Sequence, residues 1–360
     1  MGVVVKGDCG VGREGGKRDG GGGGSWKATA GFRDVMTRAF ILGAGLGTRL
    51  RPLTHVLPKP LIPVHHRPLM AYALGHLGSA GVEEFVVNTH HLPEAYGTAF
   101  PGMEWEGKRI VFRHEPVVLE TGGGLANVRD LLEGDEPFVV YNGDVLTDVP
   151  LERALREHRE RGNLVTLVLR SRGAVCNVAL DRGDGRVVDL RNALGTGHPD
   201  LYQFTGLYVV DPAFFGWLPE RGVVESVVAA WLRAISGGER IGGVVIDEGM
   251  WFDLGDRASY LEAHAATRRV AFPAWGPMGA EEMAVVHPGA EVGAGVVIDA
   301  GSSVGPGCRV GAGAILEGTV LWPGAEVAAG ARLRRCIVLP GAVAAGDLEG
   351  ADIAGAGIGG

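Results

Sequence analysis

No two of the four cysteines, Cys9, Cys176, Cys308 and Cys336, stand close enough to make a C-x-x-C pair. That excludes the usual zinc spacings and a disulfide framework, and it predicts a reducing, cytoplasmic setting. No apolar run reaches the length that crosses a bilayer, and Val3-Val4-Val5 is too short for a signal-peptide core, so no membrane partner is expected. Positive charge is also in short supply: 34 Lys and Arg against 42 Asp and Glu give a net charge of −8. Such a chain lacks the basic face that nucleic acid demands, although a local cluster of cations can still hold a phosphate. No Ser, Cys or His constellation suggests a covalent intermediate.

Glycine is the residue in excess. Its 61 copies crowd the two ends of the chain, far above the roughly 7% of average proteins. Residues 1–37 mix Gly with Lys, Arg and Asp and show no hydrophobic period, which predicts a disordered leader. Gly10-Val11-Gly12-Arg13-Glu14-Gly15 has no strand before it and no helix after it, so it does not read as a phosphate loop. The folded protein is expected to begin near Met36. From 38 to 270, buried strand-like runs alternate with helical patterns, the rhythm of an α/β domain on a mostly parallel sheet. Asn177–Leu180 and Arg186–Leu190 break that rhythm as an antiparallel hairpin. Residues 271–283 read as a linker. From 284 to 345 an aliphatic residue recurs every six positions, at Val286, Val292, Ile298, Val304 and Val310 and again at Val327, Leu333 and Leu339, with Gly and Ala between. One inward aliphatic per hexapeptide is the mark of a parallel β-helix. Residues 346–360 read as a flexible tail.

Four stretches carry chemistry. Phe40-Ile41-Leu42 delivers a buried strand into Gly43-Ala44-Gly45-Leu46-Gly47-Thr48-Arg49, with Pro58-Lys59-Pro60 soon after. Small residues let backbone N–H groups approach a phosphate chain, and Arg49, Arg51 and Lys59 add charge at the same mouth. Cations stand where a dinucleotide fingerprint would start its helix, so this is a different loop. Asn142-Gly143-Asp144 follows another buried strand, where α/β sheets bind ligands, although a lone Asp there also makes turns. In Trp251-Phe252-Asp253-Leu254-Gly255, Asp253 is either a metal ligand or a helix cap, and Asp256 could do the capping instead. Glu120-Thr121-Gly122-Gly123-Gly124 leaves room for a planar base or simply starts a helix.

Taken in order, these motifs resemble the signatures of the sugar-1-phosphate nucleotidyltransferases, the nucleotide-sugar pyrophosphorylases. The resemblance implies a Rossmann-like, mostly parallel mixed sheet followed by a left-handed parallel β-helix. It implies transfer of a nucleotidyl group from an NTP to a sugar 1-phosphate, with Mg²⁺ as cofactor and pyrophosphate as leaving group. Arg49, Lys59 and Asp144 become the catalytic residues, and Asp144 and Asp253 the metal ligands. Nucleotide contacts fall to Leu42, Gly43, Ala44, Gly45, Gly47, Thr48, Glu115, Gly122 and Gly123. Asn177, Thr205 and Gly206 are assigned to the sugar phosphate. Arg191 joins them because Asp189-Leu190-Arg191-Asn192 stands where many members carry Glu-Lys-Pro, and a guanidinium suits phosphate.

The Glu-Thr-Gly-Gly-Gly form, helped by Asn88-Thr89-His90-His91-Leu92, is closest to uridylyltransferases that act on N-acetylmuramate 1-phosphate. That makes UTP and an amino-sugar 1-phosphate the first expectation. The β-helix belongs to other branches, which makes GTP with mannose 1-phosphate the alternative. Hexapeptide coils also occur in acyltransferases, for which His287 is the one available base, or the chain could be an inactive scaffold subunit. The expected role of the β-helix is homo-oligomerisation or effector binding.

Overall fold

A computed structural model describes residues 4–6, 37–268, 275 and 279–355. The strands and helices of its first part run β1 (Arg38–Leu42), α1 (Leu69–Ser79), β2 (Glu84–Thr89), β3 (Lys108–His114), α2 (Glu120–Asn127), β4 (Phe138–Asn142), β5 (Val145–Thr147) and α3 (Leu151–Arg161). They continue through β6 (Val165–Arg170), β7 (Cys176–Asp181), β8 (Arg186–Leu190), β9 (Leu201–Val210), α4 (Val227–Ser236), β10 (Ile241–Val245), β11 (Trp251–Asp253) and α5 (Arg257–Thr267).

One large sheet has the order β6-β10-β8-β7-β9-β4-β1-β2-β3, with Glu104–Trp105 on the outer edge. β1 lies parallel to both β2 and β4, so it is central and buried on both faces, as its unbroken run Ala39-Phe40-Ile41 requires. β4 meets β9 antiparallel, and the expected hairpin of β7 and β8 enters beyond it. β6 pairs with β9 as well as with β10, so five strands close on themselves. Apolar clusters cover the two faces of the sheet, one under α1 and α3 and the other under α4. Helix ends follow local chemistry: Ser226 caps α4, Gly162 ends α3 in the left-handed region, and Asp256 with Ser259 forms a capping box on α5.

The second part is a left-handed parallel β-helix. Its three faces are sheets of stacked short strands, for instance Glu291–Val292, Arg309–Val310, Glu326–Val327 and Val343–Ala344. Val304, Val310, Leu316, Leu321, Val327, Leu333 and Val338 fill the interior. In the strand Ile337–Val338 the inward residue is Val338, not the expected Leu339. Leu339, Ile337, Val320 and Trp322 instead point out of the prism into a cluster with Leu50, Leu53, Leu254 and Tyr260 of the first part. The expected flexible tail is also corrected. Asp347–Glu349 pairs with Arg332–Arg334, and Asp352–Ile353 with Ile337–Val338, so the helix runs one coil further. Leu348 and Ile353 supply the inward aliphatics at shortened spacing, which hides the six-residue period.

Two other expectations shift. Val4–Lys6 of the leader forms a strand parallel to Val297–Asp299, where β-branched residues meet an open sheet edge; the rest of 1–36 lies outside the described residues. Within the stretch read as a linker, Trp275 is fully buried, donates to the Thr147 carbonyl at 2.6 Å and sits edge-on to Tyr72. Among the described residues no helix is long and apolar enough to cross a membrane.

Candidate active site

The cleft opens at the carboxyl ends of β1, β2 and β4, and holds about 610 Å³ including its mouth. It is lined by Leu42, Gly43, Ala44, Gly45, Lys59, Pro60, Asn88, Glu115, Val118, Glu120, Thr121, Asn142 and Asp144. The loop after β1 is held from beneath. The Gly43 N–H donates to Asn88 Oδ1 at 2.7 Å, and Tyr96 Oη donates to the Gly43 carbonyl at 3.0 Å. A Cβ on Gly43 would stand 2.6 Å from the Asn88 carbonyl, so only glycine fits. The next N–H groups, from Ala44 to Gly47, donate to no acceptor among the described residues. They are open to an anion. Thr54 Oγ1 fixes the far end by donating to the Gly47 carbonyl at 3.0 Å.

Lys59 is buried, and its Nζ lies 2.7 Å from Asp144 Oδ2. Gly143 brings Asp144 there: its N–H bonds the Leu42 carbonyl at 3.0 Å, and a Cβ would come within 2.5 Å of that oxygen. β11 lies antiparallel to β5 with Asp253 opposite Val145, and the Leu254 N–H donates to the Asp144 carbonyl at 3.0 Å. The two carboxylates that sequence separates by more than a hundred residues therefore share one corner. Desolvation and then the neighbouring Asp144 raise the pKa of Asp253, with Lys59 and Arg49 pulling it back. Asp256 caps α5, which leaves Asp253 free of that duty. Arg49 is exposed at the mouth and its guanidinium lies over Gly255, where a Cβ would meet Nη2 at 2.9 Å.

Two oxygen donors with an opposed charge fit a hard divalent cation, which takes one or two carboxylates and completes its shell with phosphate oxygens and water. Among the described residues no set of three or more His, Cys, Asp or Glu side chains forms a fuller protein cage.

Other assigned residues fall elsewhere. Gly122 and Gly123 are not on the cleft wall: their N–H groups donate to the Glu225 carbonyl at 2.8 and 3.0 Å, beneath the segment leading into α4. Glu120 and Thr121 take the wall instead. Thr205 is buried, with Oγ1 donating to the Val168 carbonyl at 2.8 Å, and Gly206 backs onto Asn142. Asn177 and Arg191 meet through a 2.7 Å backbone bond at the end of the β7–β8 hairpin. Four hydrogen bonds into Asp189 shape the turn that presents Arg191. His287 accepts from the Gly289 N–H and stands edge-on to His66.

Sequence reasoning missed the support for the loop. Asn88 Nδ2 donates to Glu115 Oε1 at 2.8 Å, and the Leu119 N–H donates to Oε2 at 3.2 Å. Burial raises the Glu115 pKa, and those two bonds offset part of the rise. A polar residue inside the apolar strand β2 was the available signal.

A glycine loop with free N–H groups, a buried lysine and two converging carboxylates give the cleft of this α/β fold a chemistry that suits a nucleotide. The nucleotidyl transferase family profile matches residues 38–175. The mannose-1-phosphate guanylyltransferase of Mycobacterium tuberculosis is 32% identical over 288 residues, 79% of each chain. A UTP–glucose-1-phosphate uridylyltransferase from Synechocystis is 27% identical, over 63% of this chain and 62% of that one. In fold the chain is similar to the crystal structure of HddC from Yersinia pseudotuberculosis, with a TM-score of 0.53 and 20% identity, over 63% of this chain and 98% of the other. The chain belongs to the sugar-1-phosphate nucleotidyltransferases, and its activity is nucleotidyl transfer to a sugar 1-phosphate.

Proposed function

We propose that the protein transfers a guanylyl group from GTP to mannose 1-phosphate, giving GDP-mannose and pyrophosphate. The convergence of Lys59, Asp144 and Asp253 at the mouth of the glycine loop carries the reaction type. The donor and acceptor rest on the likeness to the mycobacterial guanylyltransferase, which spans more residues than the stretch from 38 to 268 holds.

The sugar phosphate oxygen attacks the α-phosphorus in line, and pyrophosphate departs. The free N–H groups from Ala44 to Gly47 cradle the triphosphate, and Glu115 keeps the loop in shape through Asn88. Lys59 holds a phosphate oxygen whose charge grows in the transition state, and Arg49 takes charge from the leaving pyrophosphate. Arg191, with Asn177, receives the sugar phosphate. Asp144 and Asp253 would hold Mg²⁺, which when bound supplies charge neutralisation at the phosphates. Thiols left free at Cys176, Cys308 and Cys336 suit a cytoplasmic enzyme. Self-association would use the two β-helix faces that the first part leaves uncovered.

A second reading, UTP with N-acetylmuramate 1-phosphate, draws on the Glu120-Thr121-Gly122-Gly123-Gly124 run. Pyrophosphate release with Mg²⁺ over a grid of GTP, UTP, dTTP, CTP and ATP against mannose, glucose and N-acetylmuramate 1-phosphates decides between them. GTP with mannose 1-phosphate should exceed every other pair. Asp144→Asn should lower turnover by about 10²-fold or more; near-normal turnover would remove Asp144 from the site.

A further inference from the structure

The β-helix meets the first part along one face, and the chemistry of that face changes at the last coil. Val320 and Ile337 stack in register and enter the apolar cluster around Leu254 and Tyr260. The next residue of the same column is Asp352, in register with Ile337. An apolar docking column thus ends in a carboxylate. Its partner is Arg257, the first residue of α5, whose Nε–H donates to Asp352 Oδ1 at 2.6 Å. The same guanidinium donates through Nη2 to the Arg335 carbonyl and, at 3.4 Å, to the Ala351 carbonyl. Side-chain exposure is 26% for Arg257 and 17% for Asp352, so water screens this pair less than an open surface pair.

Arg257 closes a short run that begins at Asp253. At the start of the run Asp253 lies opposite Val145, and the Leu254 N–H donates to the Asp144 carbonyl. The Leu254 side chain is fully buried in the junction cluster, and the Arg49 guanidinium lies over Gly255. Among the described residues β11 pairs with β5 alone, and each strand has three residues. Such a short two-stranded pair holds its register weakly by itself. The run therefore needs a second anchor, and the β-helix supplies one at Arg257.

We propose that Asp352 and Arg257 are positioning residues for the metal site: through them the last coil of the β-helix holds Asp253 in register beside Asp144. Neither side chain lines the cleft. Their effect passes along the backbone of the run, which also carries the surface under Arg49. A charge-assisted hydrogen bond with little water around it keeps the start of α5 in one place. The inference rests on the reading of Asp253 as a metal ligand and adds to it what keeps that carboxylate aligned.

The test uses the full chain as wild type, Asp352→Ala, Asp352→Asn, Arg257→Ala and the double alanine variant. Hydrogen exchange without metal or substrate reads the register directly. In Asp352→Ala the Leu254 amide should exchange about threefold faster or more, while the α5 amides from Tyr260 onward keep their wild-type rates. With the donor and acceptor that wild type uses best, half-maximal turnover should need about 2- to 30-fold more Mg²⁺, and KM for the sugar phosphate should stay within about twofold. Asp352→Asn keeps an acceptor oxygen and should recover most of both losses. The double variant should be no worse than either single one, because each removes the same link. Unchanged exchange at Leu254, or a rise spread evenly over α5, overturns the proposal. So does an unchanged Mg²⁺ requirement where Asp253→Asn is inactive. An active Asp253→Asn overturns the metal reading and the proposal with it, and that failure shows in Asp253→Asn alone.

Discussion

Replacing Trp322 with alanine tests whether the β-helix and the nucleotidyl transferase part work as one body. Trp322 is fully buried, on the outward side of a β-helix coil, and its Nε1–H donates to Tyr260 Oη at 3.0 Å. Tyr260 Oη donates in turn to the Pro63 carbonyl at 2.5 Å, so it keeps one partner when the indole is gone. Truncating a buried Trp costs roughly 3–5 kcal/mol, and the orphaned acceptor adds little because a hydroxyl can turn. Against a typical total of about 5–15 kcal/mol, that is a large share. It falls on one cluster, in which Leu50, Leu53, Leu254 and Tyr260 face Val320, Ile337 and Leu339. Urea unfolding followed by tryptophan fluorescence should therefore move from one transition to two, the earlier one reporting undocking. Turnover should fall along that earlier transition, because Tyr260 sits on α5, directly behind the segment that carries Asp253. Trp322→Phe keeps most of the apolar area and should cost about 1 kcal/mol. An alanine variant with an unchanged midpoint and unchanged turnover would refute the coupling.

Three further outcomes follow from the same geometry. Asp253→Asn removes a carboxylate held beside Asp144, so the metal-free protein should melt at the same temperature or slightly higher, by a few tenths of a kcal/mol after solvent screening. Turnover should nevertheless drop by about 10²-fold, and a destabilised but active variant would contradict the assignment. Gly255→Ala pushes only on the mobile end of Arg49; stability should stay within about 0.5 kcal/mol while kcat falls, and an unchanged kcat would mean that Arg49 has no part in turnover. Acid should loosen the junction between the two parts. Burial lowers the pKa of His66 to about 4 and of His264 to about 3, and lowers His65 further, with His264 and Arg268 adding to its depression. Their folded values lie below the unfolded value near 6.5, so the unfolded chain binds more protons beneath that pH. The stability they contribute is complete above about pH 6.5 and is lost as pH falls toward 4, by up to roughly 1.4 kcal/mol per pH unit for each histidine. A melting temperature that stays flat from pH 7 to 4.5 would rule this out.

Much of the fold could be read ahead because single faces repeat. The βα alternation and the six-residue period each need only one buried face per element, and both appear in the structure. Errors arose where a second face is buried. Val320-Leu321-Trp322 and Ile337-Val338-Leu339 spoil the hexapeptide pattern because alternate residues serve two cores, one inside the prism and one against Tyr260 and Leu254. A run of three apolar residues in a β-helix coil is thus a docking signal. The coil with Leu348 and Ile353 was lost for the opposite reason, since shortened corners removed the period that would have revealed it.

The site divides along the same line. Lys59, Asp144, Asp253 and the loop from Gly43 were legible because each follows a strand end in a fixed order. Their convergence was not, since it depends on β11 pairing with β5 across more than a hundred residues. Gly122 and Gly123 show that glycine serves close packing as readily as ligand approach. Here their N–H groups donate to the Glu225 carbonyl, and the room a Cβ would need is taken by the backbone from Val223 to Val227. Asn88 shows what replaces that signal. A side-chain amide buried in an apolar parallel strand must find partners within the fold, and it finds the Gly43 N–H on one side and Glu115 on the other. Asn88→Ala would strand both groups, at about 1–3 kcal/mol for each. It should release the loop, raising KM for the nucleotide more than it lowers kcat. A pure kcat loss would mean that the loop keeps its shape without Asn88, and that the Asn88–Glu115 pair serves the sheet rather than the phosphate site.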